Sequence, residues 1–203
     1  ALSLGCLTNG GKIHEHFLRK YIVKSPDAPI TRKHWTEYQE KAGDTKLRED
    51  EKLMLPFLMD ESVPLCRKGI IRDGFGEDDA EANIRSLPIS QILSMRLHSG
   101  HLSKVRTLCI VAGGSKDPFL RQMITDIFNA DSYTIVNSDF AAPFGCAVAG
   151  ARTLLKIPYG EAVDRFVQRD LSTCSRPVME NVQTAEKLVK RYAEFERKNI
   201  REP

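Results

Sequence analysis

The sequence predicts an α/β fold, a layered sheet with packed helices, and three observations carry that prediction. The apolar run Leu108, Cys109, Ile110 and Val111 drops into Gly113-Gly114-Ser115-Lys116-Asp117-Pro118 before a helical pattern resumes, which reads as strand, loop and helix. A helix over 118–129, a strand over 133–136 and a helix over 142–155 then follow in alternation, the succession expected of a layered sheet. Finally, 41% hydrophobic and 28% charged residues in 203 positions are ordinary for a globular chain and sufficient for one core.

Taken in order, residues 2–7 read as a strand turned by Asn9, Gly10 and Gly11. A helix over 13–21 follows, with Ile13, Phe17, Leu18 and Tyr21 on one face. Residues 25–50 are polar, and Thr31 caps a short helix through Lys41 with Gly43 just past its end. Residues 53–59 are apolar, and Pro56 sends them to a sheet edge or a strand start. Residues 73–83, DGFGEDDAEAN, read as a solvated loop whose acidic run is a hydrated face. Pro88 is expected to open a helix capped by Ser86 and ended by Gly100, with Ile92, Met95 and Leu97 near the sheet.

The 108–111 run has the composition of a central strand covered on both faces. Gly113 and Gly114 are expected to take torsions closed to other residues and to admit a ligand close to the backbone. Ser115 or Asp117 caps the next helix, and Pro118 fits its first turn. In the 142–155 helix, Gly145, Ala149 and Gly150 allow close approach to the sheet. Pro177 starts the longest helical pattern, where Val182, Ala185, Leu188, Val189, Tyr192 and Phe195 form the stripe of a docked terminal helix.

Composition excludes several function classes. Thirty basic against 27 acidic residues leave a net charge of +3 with no block of like charge, so no nucleic-acid partner is expected. The five cysteines are scattered without a CxxC pair, which argues against a disulfide framework or zinc site and fits a reducing cytosol. No run approaches the roughly 20 apolar residues of a membrane span, and a secretory leader pattern is missing, so the expected location is cytoplasmic without membrane partners. His14 and His16 point to different faces of their helix, and His98 and His101 straddle a helix stop, so neither pair is read as a metal site.

The glycine pair is neither a Walker loop nor a dinucleotide fingerprint. On its own it fits a ligand cradle or a plain tight turn. Trp35, the single tryptophan, lies in the polar stretch TRKHWTEYQE, where its plain role is a helix anchor over the core edge.

The run AGGSKDPFLRQMITDIFNADSYTI, followed by SDFAAPFGCAVAGARTLL, resembles the adenosine-binding segment and following helix of FGGY-type carbohydrate kinases. CLTNG at 6–10 looks like the strand and turn opening the later half of that lobe. LPFLMDESVP at 55–64 resembles the "PYLSGERTP" element, with Glu61 and Pro64 aligned. ISQILSMRLHSGHL at 89–102 is similar to the helix that eukaryotic xylulokinases carry before the adenosine strand. The resemblance runs from about Leu2 to about Ile200, and its specificity lies in the order of the motifs.

This resemblance implies a ribonuclease H-like lobe of the actin and hexokinase ATPase type, a mixed sheet with packed helices, spanning residues 1–203. Within it, residues 25–50 correspond to a variable helical insertion and 177–200 to a terminal helix. The implied activity is transfer of the γ-phosphoryl group of ATP, with Mg, to D-xylulose. The implied partners are ATP, a small sugar substrate and the N-terminal, sugar-binding lobe of the same kinase. That lobe would carry the catalytic aspartate and a Gly-Thr-Ser phosphate loop, and the abrupt apolar start of the chain reads as truncation. No catalytic residue and no metal ligand is therefore assigned here, and the chain alone is expected to be inactive.

The implied nucleotide contacts are Trp35 against the adenine or its pocket wall, and Gly113, Gly114 and Asp117 at the adenosine. Two positions depart from the family pattern: Ala112 replaces a glycine, and Asp117, which can only accept hydrogen bonds, replaces an asparagine. Lys116 is read as a solvated lysine, and Glu61 as a hinge residue or a surface salt bridge. The alternatives are another sugar kinase of the family, for gluconate, ribulose or glycerol, or a non-catalytic nucleotide-binding module.

Overall fold

The computed structural model describes residues 6–102 and 105–200, so most of the strand expected over 2–7 lies outside the described residues. Cys6 and Leu7 themselves have irregular backbone. Helix α1 (Gly11–Leu18) buries Ile13, Phe17 and Leu18 and runs on as a π turn over Arg19–Val23, which buries Tyr21. Helix α2 (Arg32–Ala42) begins in a reciprocal cap, in which Thr31 Oγ1 accepts the His34 N–H and His34 Nδ1 accepts the Thr31 N–H. Gly43, at φ 81°, ends it.

Strand β1 (Met54–Phe57) is buried throughout and among the described residues pairs with a single neighbour, so Pro56 sits where its missing N–H is tolerated. After the short strands β2 (Glu61–Ser62) and β3 (Leu65–Cys66), β4 (Gly69–Arg72) returns antiparallel to β1, from Met54 opposite Arg72 to Phe57 opposite Gly69. The sequence pattern does not foretell β4.

Helix α3 (Ala80–His98) corrects the expected boundary. It starts eight residues before Pro88, capped by Asp79, whose Oδ1 accepts the Ala82 N–H at 3.0 Å. An interior proline costs about 3 kcal/mol. Ile84, Leu87, Ile89, Ile92 and Leu93 are all buried around it, and each such side chain contributes roughly 1.5–3 kcal/mol on burial, so packing outweighs the lost hydrogen bond. Met95, expected near the sheet, is instead exposed.

The second sheet has the order β5-β6-β7, with β5 (Thr107–Cys109) parallel to β6 (Asp131–Ile135) and β7 (Arg169–Ser175) antiparallel to it. It is a mixed sheet. Among the described residues strand β5 is not the covered central strand expected from its apolar run: it has a described neighbour on one side only, and of residues 108–111 only Ile110 is buried. Helix α4 (Pro118–Phe128) connects β5 to β6 and ends at Asn129 in the left-handed region, φ 48°.

Helices α5 (Ala141–Leu155) and α6 (Tyr159–Phe166) follow β6, and α5 buries only Val148. A side chain at Gly145 or Gly150 would meet nothing within 4 Å, so these glycines do not seat the helix on the sheet as expected. Neither α6 nor β7 announces itself in the sequence. Helix α7 (Met179–Asn199) packs Val182, Ala185, Leu188 and Tyr192 into the core, with Val189 and Phe195 against its margin. That core is shared by α1, α2, β1, α3, α4 and α7.

A buried polar joint fixes α7 to α4. Asp126 accepts Asn181 Nδ2 at 2.6 Å and the Val178 N–H at 2.8 Å, while Asn181 Oδ1 accepts the Leu47 N–H at 2.9 Å. No cysteine among the described residues is disulfide-bonded, and none of their helices is long and apolar enough to cross a membrane.

Candidate functional site

The glycine turn leaves β5 after the Ile110 N–H bonds the Tyr133 carbonyl at 2.9 Å. Ala112 comes next at φ 62°, ψ −155°, a region essentially reserved for glycine. Gly113–Lys116 then form one 3-10 turn, and Asp117 opens α4. Neither Gly113 nor Gly114 has a positive φ, so the torsional demand falls on Ala112 instead of on the two glycines. What distinguishes the glycines is space: a Cβ at Gly113 would meet nothing within 4 Å, and one at Gly114 only Leu120 Cδ1 at 3.9 Å. Their backbone thus faces an open side that a flat ligand can approach directly.

The turn is held from below. Ser115 is buried, and its Oγ donates to the Ala112 carbonyl at 2.6 Å and meets Ser138 Oγ at 2.8 Å. The Ala112 N–H reaches the Ser138 carbonyl at 3.0 Å, tying the turn to the segment after β6. Arg121 Nη1 donates to the Ser115 carbonyl at 2.6 Å. Lys116 is exposed, as expected of a solvated lysine, and its Nζ lies 2.7 Å from Asp139 Oδ2.

Asp117 caps α4: its Oδ1 accepts the Phe119 N–H at 2.9 Å and the Leu120 N–H at 3.4 Å. Burial raises its pKa, offset in part by those two amides, by Gln39 and by the Arg121 charge. With a carboxylate over the first amides of α4, that helix start is closed to phosphate and suited to a hydrogen-bond donor.

The Gln39 contact brings α2 to the turn. Trp35 lies one helical turn before Gln39, half-buried against the core margin, and meets the Tyr38 ring edge-on at 5.9 Å. Tyr38 is buried, and its phenol pKa is raised by burial and then by the Asp117 charge. The link from Trp35 to Asp117 therefore runs through Tyr38 and Gln39. Gln39 carries no sequence signal, whereas Tyr38 shows itself as the second aromatic of a Trp-x-x-Tyr spacing.

Glu61 is neither a surface residue nor a salt-bridge partner. It is 2% exposed and accepts the Thr8 N–H at 2.6 Å, the Asn9 N–H and Nδ2 at 3.0 Å each, and the Ser62 N–H at 2.8 Å. Burial pulls its pKa up, but the donors from Asn9, Thr8 and Ser62 outweigh that and hold it at about 2. So weak a base cannot take a proton from a sugar hydroxyl near neutrality. Its role is to clamp the turn ahead of α1. Gln91 extends the clamp, donating to the Asn9 carbonyl at 2.6 Å and meeting His14 Nε2 at 2.6 Å. His98, two turns along α3, pairs with buried Glu196 of α7 at 3.0 Å, a contact with no sequence signal.

A cavity of about 150 Å³ lies away from the glycine turn, between the β1–β4 pair and the end of α7, lined by Leu55, Phe57, Cys66 and Ile200 among others. It is smaller than the roughly 300 Å³ or more of an organic-ligand pocket, and the open glycine turn remains the candidate site.

Neither a family profile nor a curated protein sequence matches the chain. Solved structures do. A ligand-bound xylulose kinase from Lactobacillus acidophilus aligns with a TM-score of 0.72 at 19% identity, over 95% of this chain and 38% of that one. A gluconate kinase from the same organism gives 0.70 at 20% identity, over 95% and 38%. A Plasmodium falciparum glycerol kinase with ADP gives 0.68 at 14% identity, over 97% and 38%. The chain thus spans about two-fifths of the length of each of these kinases. Across that span it has their fold, an α/β, ribonuclease H-like lobe of the actin and hexokinase type.

Proposed function

We propose that the chain is the ATP-binding portion, the C-terminal lobe, of a carbohydrate kinase that phosphorylates D-xylulose to D-xylulose 5-phosphate. The observation that carries this reading is the convergence of the open glycine turn, the capped start of α4 and the Trp35 helix, on a fold shared with xylulose, gluconate and glycerol kinases. The glycerol kinase neighbour was solved with ADP, which supports nucleotide as the ligand class.

In this reading Gly113 and Gly114 let the nucleoside lie against bare backbone, and Trp35 supplies an aromatic wall. Asp117 accepts a hydrogen bond from the adenosine end, while Arg121, Ser115 and Ser138 keep the turn from moving. The lobe contributes positioning, which brings the γ-phosphoryl group in line with an acceptor hydroxyl and closes the cleft to water. A magnesium ion would neutralise phosphate charge in the transfer. No group of three or more His, Cys, Asp or Glu side chains suited to a metal lies among the described residues, so phosphates and water would hold such an ion here.

The acid–base chemistry and the choice of sugar then belong to a second, sugar-binding lobe of the same kinase. Exposed Phe140, Leu154, Tyr159 and Leu171 support a partner surface. The test is ADP release by the complete kinase with D-xylulose, ribulose, gluconate and glycerol. D-Xylulose should give the highest kcat/KM. Preference for another of these moves the assignment to that sugar. Saturable ATP binding without turnover on any of them would favour the non-catalytic nucleotide-binding module, the reading that the strained Ala112 and acceptor-only Asp117 support.

A further inference from the structure

Phe140 stands where the chain leaves β6 for α5, at the N-cap of that helix, with no side-chain hydrogen bond to it. Its ring is 65% exposed, more than any other aromatic side chain among the described residues. A single exposed apolar side chain is ordinary, so its place in the fold decides what it can do.

Strands β5 and β6 run parallel. The turns that follow them, 112–117 and 137–140, therefore emerge side by side at the carboxyl ends of the strands, where open α/β sheets take their ligands. Three contacts join the two turns: the Ala112 N–H to the Ser138 carbonyl, Ser115 Oγ to Ser138 Oγ, and Lys116 Nζ to Asp139 Oδ2. The other end of the glycine turn, Asp117, is held by Gln39 of α2, the helix that carries Trp35. The open backbone of Gly113 and Gly114 thus lies between the segment that ends in Phe140 and the Trp35 helix. Val111 and Val136, just beyond the ends of the same two strands, are also exposed, at 39% and 40%. The crest is apolar as well as open, and such a surface suits the π-face of a base better than a hydrated phosphate.

We propose that Phe140 is a second aromatic wall of the nucleotide site, stacking on the base that Trp35 faces from the other side. The inference rests on the nucleotide reading above and adds to it a residue that neither the glycine turn nor α2 supplies. In this assignment Leu154, Tyr159 and Leu171, on α5, α6 and β7, remain for the partner lobe.

Calorimetric titration of the unaltered protein, Phe140→Ala and Phe140→Leu with MgATP tests it. Phe140→Ala should bind about 5- to 100-fold more weakly, the loss of one base–aromatic stack. Its denaturant midpoint should hardly move, because the side chain is exposed. Phe140→Leu keeps apolar bulk without a ring and should fall between the two. The double variant Trp35→Phe, Phe140→Trp moves the single tryptophan to position 140, and MgATP should quench its fluorescence saturably. Unchanged affinity in Phe140→Ala, or binding without quenching in the double variant, would overturn this proposal and leave the nucleotide reading standing. No binding by the unaltered protein would overturn both.

Discussion

Arg85 and Glu51 form a two-pronged ion pair, Nη2 to Oε1 at 2.6 Å and Nε to Oε2 at 2.9 Å, at the point where α3 meets the segment after α2. The remaining donors of Arg85 reach the carbonyls of Ala42, Asp44 and Lys46 at 2.8–2.9 Å. Ala42 is the last residue of α2, so this guanidinium fixes the helix that carries Trp35. The Arg85 side chain also lies over the Phe119 ring in the first turn of α4, 5.9 Å from its centroid. One residue thus sets the α2 wall and the α4 start relative to each other.

Arg85→Ala leaves Glu51, 4% exposed, with only the Arg48 N–H at 3.2 Å and the Arg48 guanidinium at 3.8 Å, and is expected to cost about 3 kcal/mol. Denaturant unfolding checks this. Adding Glu51→Leu to Arg85→Ala should recover part of the loss, because it removes a buried charge that only Arg48 then faces.

Ala112 holds φ 62°, ψ −155°, where a side chain is strained by roughly 1–3 kcal/mol. Ala112→Gly gives back part of that strain against the greater freedom of glycine in the unfolded chain. The net expectation is a gain of about 1 kcal/mol, measured as a higher denaturant midpoint at unchanged slope.

Asp117→Asn keeps an oxygen to accept from Phe119 and Leu120, removes a charge that burial disfavours, and adds a donor. Stability should change by less than about 1 kcal/mol. MgATP should bind several-fold tighter, because a negative charge beside the nucleotide is removed. Isothermal titration of the two proteins measures the difference.

The Glu61 carboxyl is held down from its usual 4.5 to about 2. A folded pKa below the unfolded one stabilises the protein above pH about 4.5 and stops doing so as the pH falls from there towards about 2. After allowance for solvent screening this is worth about 2 kcal/mol. Unfolding measured between pH 7 and pH 3 should show a little over half of this loss, the rest coming as the pH falls to about 2, and Glu61→Gln, less stable at pH 7, should show a correspondingly flatter profile.

Much of the fold was legible because its signals are local. Thr31 and Gly43 bracket α2, Asp117 and Asn129 bracket α4, and the stripe from Val182 to Tyr192 marks the buried face of α7. Local rules failed where long-range packing decides. Pro88 reads as a helix start, yet its buried neighbours carry the helix through it. The 108–111 run reads as a covered strand, yet among the described residues β5 pairs on one side only. Strand β7, with its sequence RDLSTCS, has no apolar alternation to betray it and is fixed by pairing with β6. At the candidate site, Gly113, Gly114, Asp117 and Trp35 stand out by type and spacing. Gln39, Arg121 and Arg85 do not, because their roles depend on residues distant in sequence or on carbonyls that only the folded chain presents.

The claim that nucleotide binds at the open glycine turn beside Trp35 is tested most directly by titrating the fluorescence of Trp35, the single tryptophan, with MgATP. The control is Gly113→Asp, whose new side chain enters open space and should leave the denaturant midpoint nearly unchanged. Saturable quenching in the unaltered protein that disappears in Gly113→Asp is the predicted result. No quenching in the unaltered protein, or equal quenching in both, would contradict the account.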